Sequence, residues 1–347
     1  MTGRLRIDLG ALCANYALFQ NAARPGRAAA VVKADAYGLG AAPVTWALKS
    51  AGCRDYFVAT VEEGVALRAE LGDAVIYVFE GARGESTATL LDADLIPVLN
   101  HSGQLDTWRR VSGGRAAAVH VDTGMHRLGF PPDLARVDLH GVSVCLLVTH
   151  IACADEPAHP MNQRQLERLA AVRAAFPGVP VSIGNSATVL SGGAQPDDLV
   201  RPGIGLYGGN PFLTAPNPLF PVVTLEGLIL QIREVAPGES IGYGATFKAP
   251  APMEVAVVGV GYGDGLPRLL SNRGEASLRG TRCPIVGRIS MDLTVVDVTG
   301  REARVDDWVE LIGANVPVDE VAQWAETISY EVLTGLGRRP AREYLPA

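Results

Sequence analysis

Residues 29–38 read Ala29-Ala30-Val31-Val32-Lys33-Ala34-Asp35-Ala36-Tyr37-Gly38, and Gly40 follows two positions later. Four small or branched apolar residues run straight into a lysine, and the chain then turns. An uninterrupted apolar run of this length suits a parallel strand buried on both faces. A lysine at its end loses part of its hydration, which is costly for an ammonium. Desolvation lowers the amine pKa and makes it a nucleophile or a Schiff-base partner. On this stretch alone, a lysine snorkelling at a strand end is the competing reading.

Outward from Lys33 the same unit repeats. Strand-like runs fall near 29–33, 56–59, 75–79, 96–99, 116–121, 142–148, 179–183 and 199–206. Helical patterns fall near 44–51, 61–71, 87–92, 102–111 and 163–175, with a shorter, proline-broken helix between 129 and 140. Asp8 is placed to cap a helix from about Leu9 to Ala23. Strand and helix alternating eight times predict an α/β fold, a (β/α)8 TIM-like barrel. A doubly wound open sheet is the alternative, but no G-x-G-x-x-G follows the first strand. In a barrel, chemistry sits at the carboxyl ends of the strands, where Lys33, Arg127, His150, Ser186 and Arg201 lie. After about Pro218 the pattern changes to strands near 222–235, 253–261, 275–279, 283–298 and 308–312, separated by Gly- and Pro-rich turns. Short helical pieces follow near 318–326 and 328–335. The expected division is a barrel over 1–218 and a mostly β C-terminal domain over 219–347, with residues 210–220 as linker.

Composition narrows the function. The 347 residues are 48% hydrophobic and carry a net charge of −7, an ordinary globular balance. An acidic chain without a basic run argues against nucleic acid or an anionic membrane as partner. Arg4, Arg6 and Asp8 stand where a secretory leader would need apolar residues. The five cysteines are scattered, with no C-x-x-C pair, which reads as reduced thiols in a cytoplasmic protein and no metal motif.

Further motifs follow the lysine stretch in order. They are Asp122-Thr123-Gly124-Met125-His126-Arg127-Leu128-Gly129, Thr149-His150, Asn185-Ser186-Ala187, Arg201-Pro202-Gly203-Ile204, Gly242-Tyr243-Gly244, Gly261-Tyr262-Gly263-Asp264-Gly265 and Gly287-Arg288-Ile289-Ser290-Met291-Asp292. Together with Val31 to Gly38 they resemble the alanine racemases, a barrel-type family that uses pyridoxal 5'-phosphate. The resemblance implies interconversion of L- and D-alanine by a homodimer. Lys33 would hold the cofactor aldehyde as an imine. Tyr37, Ser186, Gly203 and Ile204 would hold its phosphate, a use that barrels make of the loops after strands seven and eight. Without the resemblance, Asn185-Ser186 reads as a plain helix cap.

The resemblance also gives Arg201 to the pyridine nitrogen. Arginine effectively never deprotonates, so that nitrogen stays unprotonated and the ring is a weaker electron sink, which suits racemisation. His150 would pack against the ring, and Arg127 would contact the phenolic oxygen. Arg127 and Met291 match the positions that hold the substrate carboxylate. Tyr262, Asp155, Arg268 and Arg288 match an entry path. Racemisation moves a proton between two faces, most directly with two bases. Lys33 would serve one face and Tyr243, reaching in from the partner subunit, the other.

Two positions depart from the family pattern. His120 stands where many members carry a carbamylated lysine, so another anion, such as chloride, is expected to balance Arg127. The phosphate-contacting tyrosine of the family's C-terminal tail is replaced here by Leu336-Gly337-Arg338-Arg339-Pro340, so an arginine substitutes or the contact is absent. Rival readings are a racemase of serine or a larger amino acid, a fold-related decarboxylase, and a non-catalytic pyridoxal-phosphate-binding protein. Arg201 argues against the decarboxylase, where an acid is expected. The second domain with Tyr243 argues against the binding protein.

Overall fold

The structure, a computed structural model, describes residues 2–134, 137–192, 198–212 and 214–347. The chain opens with β1 (Gly3–Asp8) and α1 (Leu9–Ala22), with Asp8 Oδ1 accepting the Ala11 N–H at 2.8 Å. Next come β2 (Arg27–Ala28), β3 (Ala30–Val31), the single turn α2 (Lys33–Tyr37) and α3 (Ala41–Ser50). Strands and helices then alternate through β4 (Asp55–Val58), α4 (Val61–Glu70), β5 (Val75–Val78), α5 (Ser86–Asp92), β6 (Ile96–Leu99), α6 (Ser102–Val111) and β7 (Ala116–His120). The series ends with β8 (Ser143–Val148), α7 (Pro160–Ala175), β9 (Val181–Ser182), α8 (Ser186–Leu190) and β10 (Leu199–Val200).

Strands β3 to β9 form one parallel sheet in sequence order. β2 pairs with β10, so the run expected as one strand is split between two neighbours. Ala29 and Val31 donate to Val200 and Pro202, and Arg201 donates to Gly184 at 2.6 Å, which joins β10 to both sides of the ring. With β2 and β3 taken as one strand, the parallel ring is the eight-stranded barrel. Its strands are apolar on both faces: Tyr56, Phe57, Ile76, Val98, Ala118, Val119 and Leu147 are buried. Each large side chain among them contributes about 1.5–3 kcal/mol of burial free energy. The eighth strand was expected to reach Leu206. It stops at Val200, because Pro202 has no N–H to continue the ladder and residues Ile204–Tyr207 coil into a 3-10 turn. The helix expected between 129 and 140 includes residues 135 and 136, which lie outside the described residues.

The second unit is antiparallel for the most part. It contains β11 (Val223–Val235), β12 (Ser240–Ile241), β13 (Phe247–Lys248), β14 (Met253–Val258), β15 (Glu275–Leu278), β16 (Thr281–Pro284), β17 (Thr294–Asp297) and β18 (Trp308–Ile312). Helices α9 (Val318–Trp324) and α10 (Ser329–Thr334) precede β19 (Ala341–Leu345). The main sheet runs β16-β15-β18-β11-β1-β19, and β14 pairs with β11 and β17. β1 belongs to this sheet, inserted between β11 and β19 with Leu5 and Ile7 buried. The compact units are therefore Leu12–Leu206 with Asn210–Leu219, and Phe220–Ala347 with Tyr207–Gly209 and the stretch through Ala11. Most of the expected linker clusters with the barrel; Leu213 within it lies outside the described residues. The run 283–298, expected as one strand, is two. Gly287 at φ +77° opens a loop between β16 and β17, and that loop carries Arg288 and Met291. No helix among the described residues is long and apolar enough to cross a membrane.

Candidate active site

Lys33 is the second residue past the buried end of β3, after Val32. The turn that follows is left-handed: Ala34, Asp35, Ala36 and Tyr37 have φ of +53°, +54°, +54° and +56°. None is glycine, and the left-handed helical conformation costs an L-residue roughly 1–2 kcal/mol. Local bonds hold it. Ala36 donates to Val32 at 2.9 Å, Gly38 to Ala34 at 2.7 Å, and Gly40 to Asp35 at 2.9 Å. The Asp35 side chain accepts the Ala41 N–H at 2.7 Å, tying the turn to α3. The Lys33 amine lies over the Phe79 ring, 5.9 Å from its centroid. Burial lowers its pKa, the Arg127 guanidinium lowers it further, and Glu63 opposes both.

Tyr37, four residues on and 6% exposed, brings its hydroxyl to Gly203. A Cβ on Gly203 would lie 2.3 Å from that oxygen, so no side chain fits there. Ser186 is buried on the opposite wall. Its hydroxyl accepts the N–H of Gly203 at 3.0 Å and of Gly205 at 3.2 Å. The capping duty falls to Asn185, whose side chain accepts the Thr188 N–H at 2.9 Å. Ile204 is buried between the two glycines. The Tyr37 and Ser186 hydroxyls, beside glycine backbone that leaves no side chain in the way, are donors that an acceptor-rich phosphate can use. These residues fit a phosphorylated cofactor whose aldehyde meets Lys33.

Arg201, 4% exposed, donates to the Ser182 hydroxyl at 2.5 Å and to the Thr149 carbonyl at 2.6 Å. The Ser182 hydroxyl in turn donates to the Leu199 carbonyl. The guanidinium stands 5.8 Å from the Phe57 ring centroid, and Phe57 stacks on both Tyr77 and Phe79. His150 follows β8, where burial first, and then Arg201 and Arg127, push its pKa down to about 3. His120, bonded through Nδ1 to Asn100 Oδ1 at 2.8 Å, is pushed down to about 4 by burial and the same arginines. Both imidazoles are neutral near pH 7, so His120 adds no charge to balance Arg127.

Arg127 is exposed on the loop after β7. Asp122 shapes that loop by accepting the N–H groups of Gly124 at 2.8 Å and His126 at 3.1 Å. A residue that sequence reading passed over ties these pieces together. Gln165 on α7 is fully buried and donates to Thr123 at 3.0 Å and to the His150 carbonyl at 2.9 Å, while accepting the Ala152 N–H at 2.8 Å. Thr123 and Thr149 share a hydroxyl bond at 2.9 Å. The only signal in the sequence was an amide on the apolar stripe of a helix.

The C-terminal unit carries the other candidates. Tyr243 is 70% exposed at the tip of the β12–β13 hairpin, between Gly242 at φ +73° and Gly244 at φ +72°. Asn272 buttresses this tip, donating to Thr246 at 3.2 Å and accepting the Gly287 N–H at 2.6 Å. Arg288 packs on Gly244: a Cβ there would lie 2.7 Å from its guanidinium. Met291 is 53% exposed, and its carbonyl accepts the Gly263 N–H at 2.8 Å beside Tyr262. Arg268 lies in the 3-10 turn Arg268–Leu270. Asp155 lies in the barrel unit, on the loop before α7. Arg339 is not available to replace a phosphate-contacting tyrosine. It forks onto Asp264 with two 2.7 Å bonds and reaches Asp292 at 2.6 Å.

Known protein families match most of the chain. Residues 7–211 match the family described as "Alanine racemase, N-terminal domain", and residues 222–344 match "Alanine racemase, C-terminal domain". The chain is similar to the alanine racemase of Rhodospirillum rubrum, 45% identical over 99% of this chain and 96% of that one. It is 46% identical to the alanine racemase of a Methylobacterium species, over 99% and 97% of the two chains. Among solved structures, the alanine racemase of Bartonella henselae with covalently bound pyridoxal phosphate superposes with a TM-score of 0.93. It is 36% identical, with 99% of this chain and 100% of that chain covered.

Proposed function

Because the chain belongs to the alanine racemase family, we propose that Lys33 and Tyr243 are its two proton-transferring groups, with the barrel cradle holding the cofactor. The activity itself is the interconversion of L- and D-alanine by a pyridoxal-phosphate-dependent isomerase. When bound, pyridoxal phosphate supplies an aldehyde that captures amino groups and a conjugated ring that delocalises the electron pair left at the α-carbon. The observation that carries the site reading is a lysine with a lowered pKa on the same turn as Tyr37, whose hydroxyl closes the Gly203–Ser186 cradle.

In this reading Tyr37, Ser186, Gly203 and Ile204 would anchor the phosphate, and Lys33 would hold the aldehyde. Arg201, fixed by Ser182 and Thr149, would meet the ring nitrogen with groups that can only donate. His150, neutral and held through its carbonyl by Gln165, would pack against the ring. The Lys33 amine, when free, would take or return the α-proton on one face. Arg127 and the Met291 backbone hold the substrate carboxylate and so orient that proton. Tyr243 serves the other face. Its exposure in a single chain, shared by Tyr262 and Met291 of the same unit, supports a homodimer in which a second copy supplies it. Since Arg339 is spent on Asp264 and Asp292, Arg338, its exposed neighbour, is our candidate for the arginine that substitutes in the tail's phosphate contact. Free thiols at all five cysteines support a cytoplasmic enzyme.

The test is proton NMR of the holoenzyme with L-alanine in heavy water, followed by chiral analysis. Loss of the α-proton signal with D-alanine accumulating is expected. A yellow protein silent on alanine but active on serine would move the substrate, and turnover by a protein that never binds the cofactor would overturn the site.

A further inference from the structure

Glu63 sits in the first turn of α4, where a glutamate three residues after Thr60 completes a capping box. One oxygen serves that purpose: Oε2 accepts the N–H of Ala59 at 2.7 Å and of Thr60 at 3.4 Å, while the Glu63 N–H bonds the Thr60 hydroxyl at 3.3 Å. Capping does not account for the other oxygen. Oε1 accepts the Ala34 N–H at 2.7 Å, across 29 residues of sequence, at the first residue of the left-handed turn. Of the four strained residues, Ala34 is the one bonded to Lys33, so this bond fixes where the Lys33 backbone ends and the turn begins. The charge of the same carboxylate acts on the Lys33 amine in the sense opposite to Arg127, and that amine lies over the Phe79 ring.

We propose that Glu63 is a positioning residue for Lys33, holding the left-handed turn by its Oε1 bond to Ala34 and placing an anionic charge next to the residue that carries the amine. The proposal rests on Lys33 being the attachment point for pyridoxal phosphate. Glutamine cannot replace the carboxylate, because its single oxygen cannot face both the Ala34 and the Ala59 N–H groups. An amide N–H₂ would be set against one of these donors. The electrostatic effect has a definite sign. Glu63 favours the ammonium, so removing its charge lowers the amine pKa, against the background lowering by burial and Arg127.

The experiment uses the full-length chain, stripped of cofactor and offered pyridoxal phosphate across a pH series. Attachment joins the Lys33 nitrogen to the aldehyde carbon, and the aldehyde oxygen leaves as water. The yellow band is followed, and the product is trapped with borohydride and located by peptide mass. Attachment needs the neutral amine, so its rate rises with a midpoint at the Lys33 pKa. In Glu63→Gln that midpoint is expected to fall by roughly half a pH unit or more, with ~10-fold weaker cofactor retention from the lost charged hydrogen bond. Glu63→Asp keeps the charge but is one methylene shorter, so it should keep the wild-type midpoint and lose retention. A purely structural role would lower the melting temperature of both variants and leave both midpoints in place. An unmoved midpoint in Glu63→Gln overturns the proposal. Should that variant not fold, wild-type retention by Glu63→Asp overturns it. Wild-type attachment at another lysine, or none, would instead overturn the reading of Lys33.

Discussion

Replacing Gly203 with alanine isolates the phosphate cradle from the rest of the barrel. Gly203 does not have the positive φ that would bar a side chain, so the backbone accepts alanine and the consequence is a contact. The added Cβ would lie 2.3 Å from the Tyr37 hydroxyl oxygen, 3.1 Å from its Cζ and 3.7 Å from Val31 Cβ. Restoring ordinary packing moves the phenol by about 1 Å, and Tyr37 is a buried side chain whose hydroxyl position the cradle depends on. Overpacking of this kind costs about 1–3 kcal/mol of stability. Each hydrogen bond to a charged phosphate that is lost costs ~1.5–3 kcal/mol, or about 10- to 150-fold in affinity for pyridoxal phosphate. Tyr37→Phe removes the atom that clashes and leaves 3.1 Å as the tightest approach. The double variant should therefore melt higher than Gly203→Ala alone and bind the cofactor no worse. That coupling should be ~0.5–3 kcal/mol in a double-mutant cycle. The assay pairs a cofactor titration by absorbance with thermal melts of all four proteins. Wild-type affinity in Gly203→Ala, or strictly additive melting shifts, would refute the placement of the Tyr37 hydroxyl against Gly203.

Lys33→Ala should stay folded yet form no covalent yellow species; a variant that retains that band and full turnover removes the lysine from the mechanism. Tyr243→Phe should keep its colour, and α-hydrogen exchange should fall ~10²–10⁴-fold from one enantiomer while surviving from the other; equal losses from both enantiomers would count against a one-face role. The folded-state pKa of His120, about 4, lies below its unfolded value of 6.5, so the unfolded chain binds the extra proton and stability is lost as pH falls between them. That loss reaches on the order of 3 kcal/mol at pH 4, so melts of His120→Asn should fall off less steeply than wild type over that window; parallel curves would contradict a neutral, partly buried ring. Arg339→Met leaves the buried Asp264 carboxylate without its fork and frees the Met291 loop. Its melting temperature should fall and its KM for alanine should rise more than cofactor affinity drops, which steady-state kinetics with a cofactor titration would check.

The barrel was legible because its signals are local. Each strand is a short apolar run, and Lys33, Ser186 and Arg201 follow the ends of such runs. The left-handed turn was not legible. Sequence rules assign positive φ to glycine or asparagine, and here it falls on alanine, aspartate, alanine and tyrosine. Tertiary bonds, from Glu63 to Ala34 and from Asp35 to Ala41, impose what propensity opposes. Glu63 and Gln165 were missed for a related reason: on a helix, a glutamate or glutamine reads as solvated until its distant partner is known. β1 alternates apolar and polar residues as any half-buried strand does, and that pattern carries no information about which sheet takes it. The loop 285–293 was read as strand because Ile285, Val286 and Ile289 are buried apolar residues, although Gly287 turns the chain between them.

The charges at the barrel mouth explain how one set of residues both binds and reacts. Lys33 lies under the influence of Arg127, while Arg201 and Arg127 both act on His120 and His150, which stay neutral. A cation beside a titratable amine disfavours its charged form, and an arginine does not give up its own proton, so the shift falls on the lysine. Burial first and then Arg127 lower the Lys33 pKa, which favours the neutral amine that meets an aldehyde. On the proposed reading, an incoming carboxylate then neutralises Arg127, and part of the repulsion on Lys33 disappears. The freed amine regains affinity for a proton at the moment an α-proton is presented to it. Substrate binding and base strength are then coupled through Arg127, while Glu63 acts on the lysine in the opposite sense.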